Sequence, residues 1–141
     1  MKLVRDLMTR ELLTHKPDDT LQDVEQTMGQ HQIRHIPVVD DEGRIAGLVS
    51  QKEFLTQAFR ITDRFGAHNL QTYLAKTPLS QCMKNDVPTV PQDMPLAEAG
   101  KLLRQKGHGC LLVTDEHQHL CGLLSSQDFV RLAVMLLEQN S

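Results

Sequence analysis

The sequence contains a direct repeat with an offset of 75 residues. The stretch "GLVSQKEF" at 47–54 returns as "GLLSSQDF" at 122–129. Between Met8 and Ala58, 12 of 51 positions match the residue 75 places later, without a gap, whereas unrelated sequences would share roughly 3. Such self-similarity indicates a tandem duplication, so the two copies are expected to fold alike.

Each copy begins with a predicted helix and continues with a predicted β-hairpin. Leu21, Val24 and Met28 have the spacing of a core-facing helix. Two apolar runs at 36–39 and 45–49 flank "DDEG", a turn composition. The second copy repeats both features, although Gln118 stands where the first copy has its turn glycine.

A second helix is predicted after each hairpin, because a serine and a new apolar stripe follow it. Short strands are expected near Thr14 and Thr89, and a short helix near 70–76. The fold class is therefore α+β, with two β-α-β-β-α repeats about a pseudo-twofold axis and small mixed sheets covered by helices on one face. We predict a first repeat at 1–62, a linker at 63–77 and a second repeat at 78–141. The repeats are expected to share one core, since each alone is small.

Composition excludes several classes of function. The formal net charge is -3 and aromatic residues make up 4%, with no Trp, so the basic, aromatic face typical of nucleic-acid binding is not expected. The first 15 residues interleave charged with apolar side chains and form neither a signal peptide nor a membrane span. Three cysteines without CxxC spacing favour reduced thiols. We expect a cytoplasmic protein with no membrane or nucleic-acid partner.

The Ser-x-x-acid pattern at the start of the second helix of each copy allows two interpretations. As pure structure, it is a capping box that satisfies backbone amides at the helix start. As a binding site, the helix start would attract phosphate and the acid would accept hydrogen bonds from a ribose, as in dinucleotide folds. The sequence alone leaves both interpretations open.

The combined pattern resembles a tandem cystathionine-β-synthase (CBS) domain pair, or Bateman module. The resemblance is carried by the Gly-h-h-Ser-x-x-acid motifs, by "RHIPVVD", and by the "RDLM" and "SQCM" segments that lead into the copies. It extends from about Val4 to Ala133. It implies a regulatory module rather than an enzyme, with two clefts between the repeats that bind AMP, ADP, ATP or S-adenosylmethionine as a regulatory ligand. Occupancy would be transmitted to a target protein that the sequence does not name.

The resemblance also implies site residues. In the cleft of the second copy, the acid would bind ribose, the serine would bind phosphate and backbone would lie beside the base; these residues are Asp128, Ser125, Gly109, Cys110 and Leu111, with Thr14 contributed by the other copy. By symmetry, the first cleft would use Ser50, Glu53, Arg34, His35 and Thr89.

Each cleft departs from the family pattern at one point. Glu53 is one carbon longer than the usual aspartate, by about 1.5 Å. The second cleft keeps Asp128, but it has "HG" at 108–109 where the first cleft has Arg34-His35, so it lacks a guanidinium for phosphate. From the length of its carboxylate we predict that the Asp128 cleft binds the ligand better. The alternative is the first cleft, because Arg34 and His35 supply positive charge there that a ligand with several phosphates would favour.

Catalysis and metal binding are both disfavoured. The serines lack the Gly-x-Ser-x-Gly setting of a nucleophile elbow. His117, His119 and Cys121 alternate as metal ligands could, but the first falls in the predicted turn and the last on a buried strand. We therefore expect neither an enzyme nor a metal site.

The rival hypothesis is an interaction module that dimerises without a ligand. Apolar residues in the last helix form a stripe that a small domain does not fully cover; they are Phe129, Leu132, Ala133, Leu136 and Leu137. CBS pairs commonly associate through such helices, so a homodimer is expected under either hypothesis.

Overall fold

The chain divides into two compact units that do not follow the order of the sequence. A computed structural model describes residues 2–105 and 109–140. One unit consists of Leu13–Asp86 and is called the continuous unit; the other joins Met1–Leu12 to Val87–Ser141 and is called the discontinuous unit. Each unit contains one hairpin, with a longer helix before it and another after it.

The continuous unit is built on an antiparallel hairpin. Helix α2 (Leu21–His31) precedes β1 (His35–Val39) and β2 (Ile45–Ser50), and α3 (Gln51–Phe65) and α4 (Leu70–Leu74) follow. Thr20 caps α2 with a reciprocal pair of bonds to Asp23, as expected for a capping box. The predicted strand near Thr14 is reduced to one parallel bridge from His15 to Val38.

The discontinuous unit contains a small mixed sheet. After α1 (Val4–Leu7), the chain returns with β3 (Thr89–Pro91), α5 (Leu96–Arg104), β4 (Cys110–Thr114), β5 (Leu120–Ser125) and α6 (Ser126–Gln139). Strand β3 is parallel to β4, and β4 is antiparallel to β5. Gln118 takes a positive φ of 68°, close to the 82° of the turn glycine Gly43, so the second hairpin forms without glycine.

Each unit has its own hydrophobic core, formed by the apolar faces of the helices and the inner face of the sheet. Leu21, Ile36 and Val49 are fully buried in the continuous unit. Leu111 and Leu124, the counterparts of Ile36 and Val49, are fully buried in the discontinuous one. The predicted α+β class, with two repeats and small sheets, is confirmed. Among the described helices, none has the length and apolar character to cross a membrane.

The two leading segments, "RDLM" at 5–8 with Thr9 and "SQCM" at 80–83 with Lys84, are exchanged: each pairs with a strand of the other copy. The first leading segment lies on β5 of the second copy, where Thr9 and Leu123 exchange backbone hydrogen bonds of 2.9 and 3.0 Å. The second lies on β2 of the first copy, where Lys84 and Leu48 exchange bonds of 2.8 and 2.9 Å. Each compact unit therefore combines residues of both predicted repeats, 1–62 and 78–141. The predicted bounds describe the repeat in the sequence.

The motif glycines make this exchange possible. A Cβ on Gly47 would lie 2.9 Å from the carbonyl oxygen of Lys84 and 2.8 Å from the sulfur of Met83. A Cβ on Gly122 would lie 2.3 Å from the sulfur of Met8. All three distances are far inside van der Waals contact, so each glycine lets a leading segment pass directly over the strand.

Candidate functional site

The candidate site in each unit is the junction between the hairpin and the helix that follows. Strand β2 ends at Ser50 and α3 begins at the next residue; β5 ends at Ser125 and α6 begins in the same way. Both serines are extended, with ψ of 169° and 171°. The acid of each motif therefore occupies the third helical position, one turn inside a helix start with its free N–H groups.

In the continuous unit, Glu53 folds back onto Ser50. Its Oε1 accepts hydrogen bonds from the backbone N–H of Ser50 at 3.1 Å and from the hydroxyl at 2.8 Å. Its Oε2 accepts no hydrogen bond from the part of the chain that the structure describes. The side chain is half-buried. One oxygen of this carboxylate is therefore used in capping, and the other is unused by the described residues.

In the discontinuous unit, both oxygens of Asp128 are occupied. Oδ2 accepts from the backbone N–H and the hydroxyl of Ser125 at 2.8 and 3.3 Å. Oδ1 accepts from the hydroxyl of Thr9 at 3.4 Å and faces the guanidinium of Arg131 at 3.1 Å. Asp128 is only 4% exposed, so this acid is more enclosed than Glu53.

Arg34 and His35 lie beside the Glu53 junction. His35 pairs with Ser50 across the hairpin, and the carbonyl of Arg34 accepts the first N–H of α3 at 2.8 Å. Burial lowers the pKa of His35, and the nearby negative charge of Glu53 partly opposes this shift. The exposed guanidinium of Arg34 forms no hydrogen bond or ion pair within residues 2–105 and 109–140.

The strand registers correct the alignment of the two copies at this point. Cys110 pairs with Ser125 as His35 pairs with Ser50, so Arg34 corresponds to Gly109. The other residue of the "HG" pair, His108, lies outside the described residues. Cys110 and Leu111 are buried, which leaves backbone as the part of this strand that a ligand could contact.

The two threonines predicted from the entering strands fall in the opposite units from the acids assigned to them. Thr14 belongs to the continuous unit with Ser50 and Glu53. Thr89 belongs to the discontinuous unit, where it pairs with Leu112 of β4. The predicted clefts, which pair Thr14 with Asp128 and Thr89 with Glu53, would each combine residues of both units and stay a prediction.

Sequence reasoning missed the residues that surround each acid from outside the motif. Thr9 and Arg131 contact Asp128, and Lys84 occupies the backbone position in the continuous unit that Thr9 holds in the other. One signal for these segments was available in the sequence, since Met8 and Met83 repeat at the same offset of 75 as Gly47 and Gly122. The sequence did not show that each methionine contacts the glycine of the other copy.

The thiols of Cys82 and Cys121 lie in surroundings that do not activate them as nucleophiles. Burial, and then the nearby charge of Glu53, raises the pKa of Cys82 to about 11, so its thiol is protonated at neutral pH. The Cys121 thiol lies 3.3 Å from the carbonyl of Val113. No group of three metal-ligating side chains is found among the residues that the structure describes.

Comparison with known proteins identifies the family. The sequence profile of the CBS domain matches residues 4–59 and 79–134. The chain belongs to the CBS domain family. It contains two CBS domains, and the predicted resemblance to a CBS pair is confirmed.

Several relatives resemble the CBS pair along its whole length. A CBS domain-containing protein of Dictyostelium discoideum is 30% identical over 139 residues, covering 96% of this chain and 94% of that protein. A protein of Vibrio cholerae assigned to acetoin utilization is 32% identical in sequence. Its crystal structure matches with a TM-score of 0.83 and covers 99% of this chain and 96% of that chain. CBSX2 of Arabidopsis thaliana, in a crystal structure with AMP, is 24% identical, with a TM-score of 0.79 and coverage of 96% and 98%. Other relatives are longer, and the chain spans 46% and 21% of two of them.

Proposed function

We propose that this CBS pair is a regulatory module that binds an adenosine-containing ligand, of the AMP, ADP, ATP or S-adenosylmethionine type. Occupancy of the site would be transmitted to a separate target protein. Family membership supports this proposal, and the complex of CBSX2 with AMP shows that one protein of this fold binds such a ligand.

The observation that carries the proposal is the unused half of the Glu53 carboxylate. Oε2 has no hydrogen-bond donor in the described part of the chain, while Oε1 is held in place by Ser50. A carboxylate that is already oriented loses little further freedom when it accepts ribose hydroxyls. The guanidinium of Arg34, which has no hydrogen-bond or ion-pair partner among the described residues, lies beside the same helix start and suits a phosphate.

The same acid can cap the helix with one oxygen and bind a ligand with the other. The bonds from Ser50 to Glu53 and from Ser125 to Asp128 are the carboxylate half of a capping box. Capping uses one oxygen of each acid. The choice between the two interpretations depends on what the second oxygen does.

A thermal-shift screen with AMP, ADP, ATP, NAD and S-adenosylmethionine tests the proposal. A ligand at 100 times its Kd stabilises the native state by about 2.7 kcal/mol, which should raise the Tm by roughly 5–10 °C for a chain of this size. GTP serves as the control, since it carries the same phosphates on a different base. If none of the five adenosine compounds raises the Tm at millimolar concentration, the proposal fails.

A homodimer is the second proposal, and a dimer that forms without ligand would support the interaction module. Two apolar faces are exposed on equivalent helices: Leu55 and Phe59 on α3, and Val130 and Val134 at the matching positions of α6. Leu137 extends the second face and is 70% exposed. Of the predicted stripe, Phe129 and Leu132 instead pack against the core of the discontinuous unit.

Light scattering after size exclusion distinguishes these states. The wild type should elute as a dimer at micromolar concentration, and Leu137→Glu should shift it towards monomer, because a charge at an apolar interface is strongly unfavourable. Gln139→Glu adds the same charge on the opposite side of α6 and should leave the dimer intact. A monomeric wild type would refute the dimer proposal without affecting the ligand proposal.

A further inference from the structure

The two acids of the repeated motif differ in how many hydrogen bonds they can still accept. An ionised carboxylate offers about four lone-pair sites on its two oxygens. Asp128 already faces four donor groups: the N–H and hydroxyl of Ser125, the hydroxyl of Thr9 and the guanidinium of Arg131. Among residues 2–105 and 109–140, the donors to Glu53 are two, both from Ser50 and both on Oε1.

We infer that Arg131 and Thr9 close the Asp128 site from within the protein, so that each chain binds one adenosine ligand, at Glu53. This inference rests on the proposed function. The 2′ and 3′ hydroxyls of a ribose need two acceptor sites, and Oε2 of Glu53 has about two available. Arg131 and Thr9 are thus specificity-determining residues that act as internal competitors of the ligand.

The closure depends on residues that differ between the copies. Arg131 lies one helical turn after Asp128, and the corresponding residue after Glu53 is Thr56, an exposed and much shorter side chain. Arg131 also lies 3.5 Å from the carbonyl of Leu7. The guanidinium therefore connects α6 to the leading segment as well as to the acid.

A ligand that entered the Asp128 site would have to displace both donors. Hydrogen bonds to charged groups are individually strong, so losing the bonds from Thr9 and Arg131 should weaken binding there on the order of 100-fold relative to the Glu53 site. In ordinary titrations, the Asp128 site would then be empty whenever the Glu53 site is being filled.

Isothermal titration calorimetry of the full chain with AMP tests the inference. We expect one AMP per wild-type chain. Glu53→Gln should weaken this binding at least tenfold, whereas Asp128→Asn, checked for folding by circular dichroism, should leave the affinity within about twofold. Arg131→Met combined with Thr9→Val should add a second AMP per chain, because two sites on Oδ1 become available.

The outcomes separate this inference from the proposed function. Two equivalent AMP molecules per wild-type chain, or loss of binding in Asp128→Asn with normal binding in Glu53→Gln, would overturn the inference and leave the proposed function intact. No heat with AMP, together with no thermal shift from the other adenosine compounds, would overturn both. If the double variant does not fold, the wild-type stoichiometry and the two single variants still decide the question.

Discussion

The starts of α3 and α6 share a backbone arrangement but differ in their surroundings. In both, an extended serine precedes the helix and donates two hydrogen bonds to an acid one turn inside it. Around Asp128, the leading segment and α6 supply Thr9 and Arg131 as further donors. Around Glu53, the equivalent positions hold Lys84 and Thr56.

This difference shows which features a duplication preserved. Glycine and serine remain identical in the two copies, because a Cβ at the glycine would collide with the leading segment and the serine ends the strand at the helix start. Side chains that only fill the space around the acid diverged. Both oxygens of Asp128 consequently have donors, while Oε2 of Glu53 has none in the part of the chain that the structure describes.

The largest expected effect is the loss of stability on replacing Gly47. In Gly47→Ala the new Cβ meets the carbonyl oxygen of Lys84, which cannot move without breaking its backbone pair with Leu48. We expect about 3 kcal/mol of destabilisation, at the upper end for overpacking, measured by urea unfolding. Gly122→Ala should cost less, because the three atoms nearest to its Cβ all belong to the flexible side chain of Met8.

A double-mutant cycle sharpens this comparison. Adding Met8→Ala should recover part of the loss in Gly122→Ala, because it removes the atoms that clash. Adding Met83→Ala to Gly47→Ala should recover little, since the Lys84 carbonyl remains in place. Equal rescue at both glycines would refute the assigned difference between a backbone and a side-chain clash.

Replacing the two acids should have the next largest effect. Asp128→Ala removes an almost fully buried acceptor of four donor groups, and we expect about 2 kcal/mol of destabilisation. Glu53→Ala removes only the capping bonds from Ser50 and should cost about 1 kcal/mol. Urea unfolding in the absence of nucleotide measures both, and a larger loss for Glu53→Ala would contradict the structural ranking of the two acids.

Arg34 should affect affinity rather than stability. If its guanidinium binds phosphate, Arg34→Ala should weaken ATP binding about tenfold and AMP binding less, since ATP carries more charge for it to contact. Calorimetry measures both affinities. Arg60→Ala, which removes the same charge from the exposed face of α3, is the matched control; equal losses in both variants would show that only net charge matters.

The smallest predicted effect is a pH dependence from His35. Burial favours the neutral imidazole, so its pKa in the folded protein lies below the ordinary value of about 6.5. The unfolded state therefore takes up a proton first, and stability should fall as the pH drops through about 6.5 until it passes the folded pKa. The free energy of unfolding of His35→Gln, measured with urea at a series of pH values, should depend less steeply on pH in this window. An unchanged pH dependence would contradict the assignment.

Much of the fold was predictable because local patterns determine it. The spacing of Leu21, Val24 and Met28 gave α2, and "DDEG" between two apolar runs gave the first hairpin. The second hairpin was also predicted, although Gln118 has to adopt the conformation that Gly43 reaches more easily. These elements depend on residues close together in the sequence.

The exchange of leading segments was not predictable, because it depends on contacts between residues that are far apart in the sequence. Thr9 reaches Asp128 and Met8 reaches Gly122 only after the first segment has packed on the second copy. For the same reason, the preference predicted for the Asp128 site rested on the length of its carboxylate. The contacts of Thr9 and Arg131 with Oδ1 of Asp128 were not evident from the sequence.

The location of the ligand is tested most directly by an amide-resolved nitrogen–proton NMR titration of the full chain with AMP. The account predicts that the amide signals of residues 50–54, at the start of α3, shift progressively and saturate with one AMP per chain. Residues 125–129, at the start of α6, should shift little over the same range. Saturating shifts at 125–129 with unchanged signals at 50–54 would contradict the account.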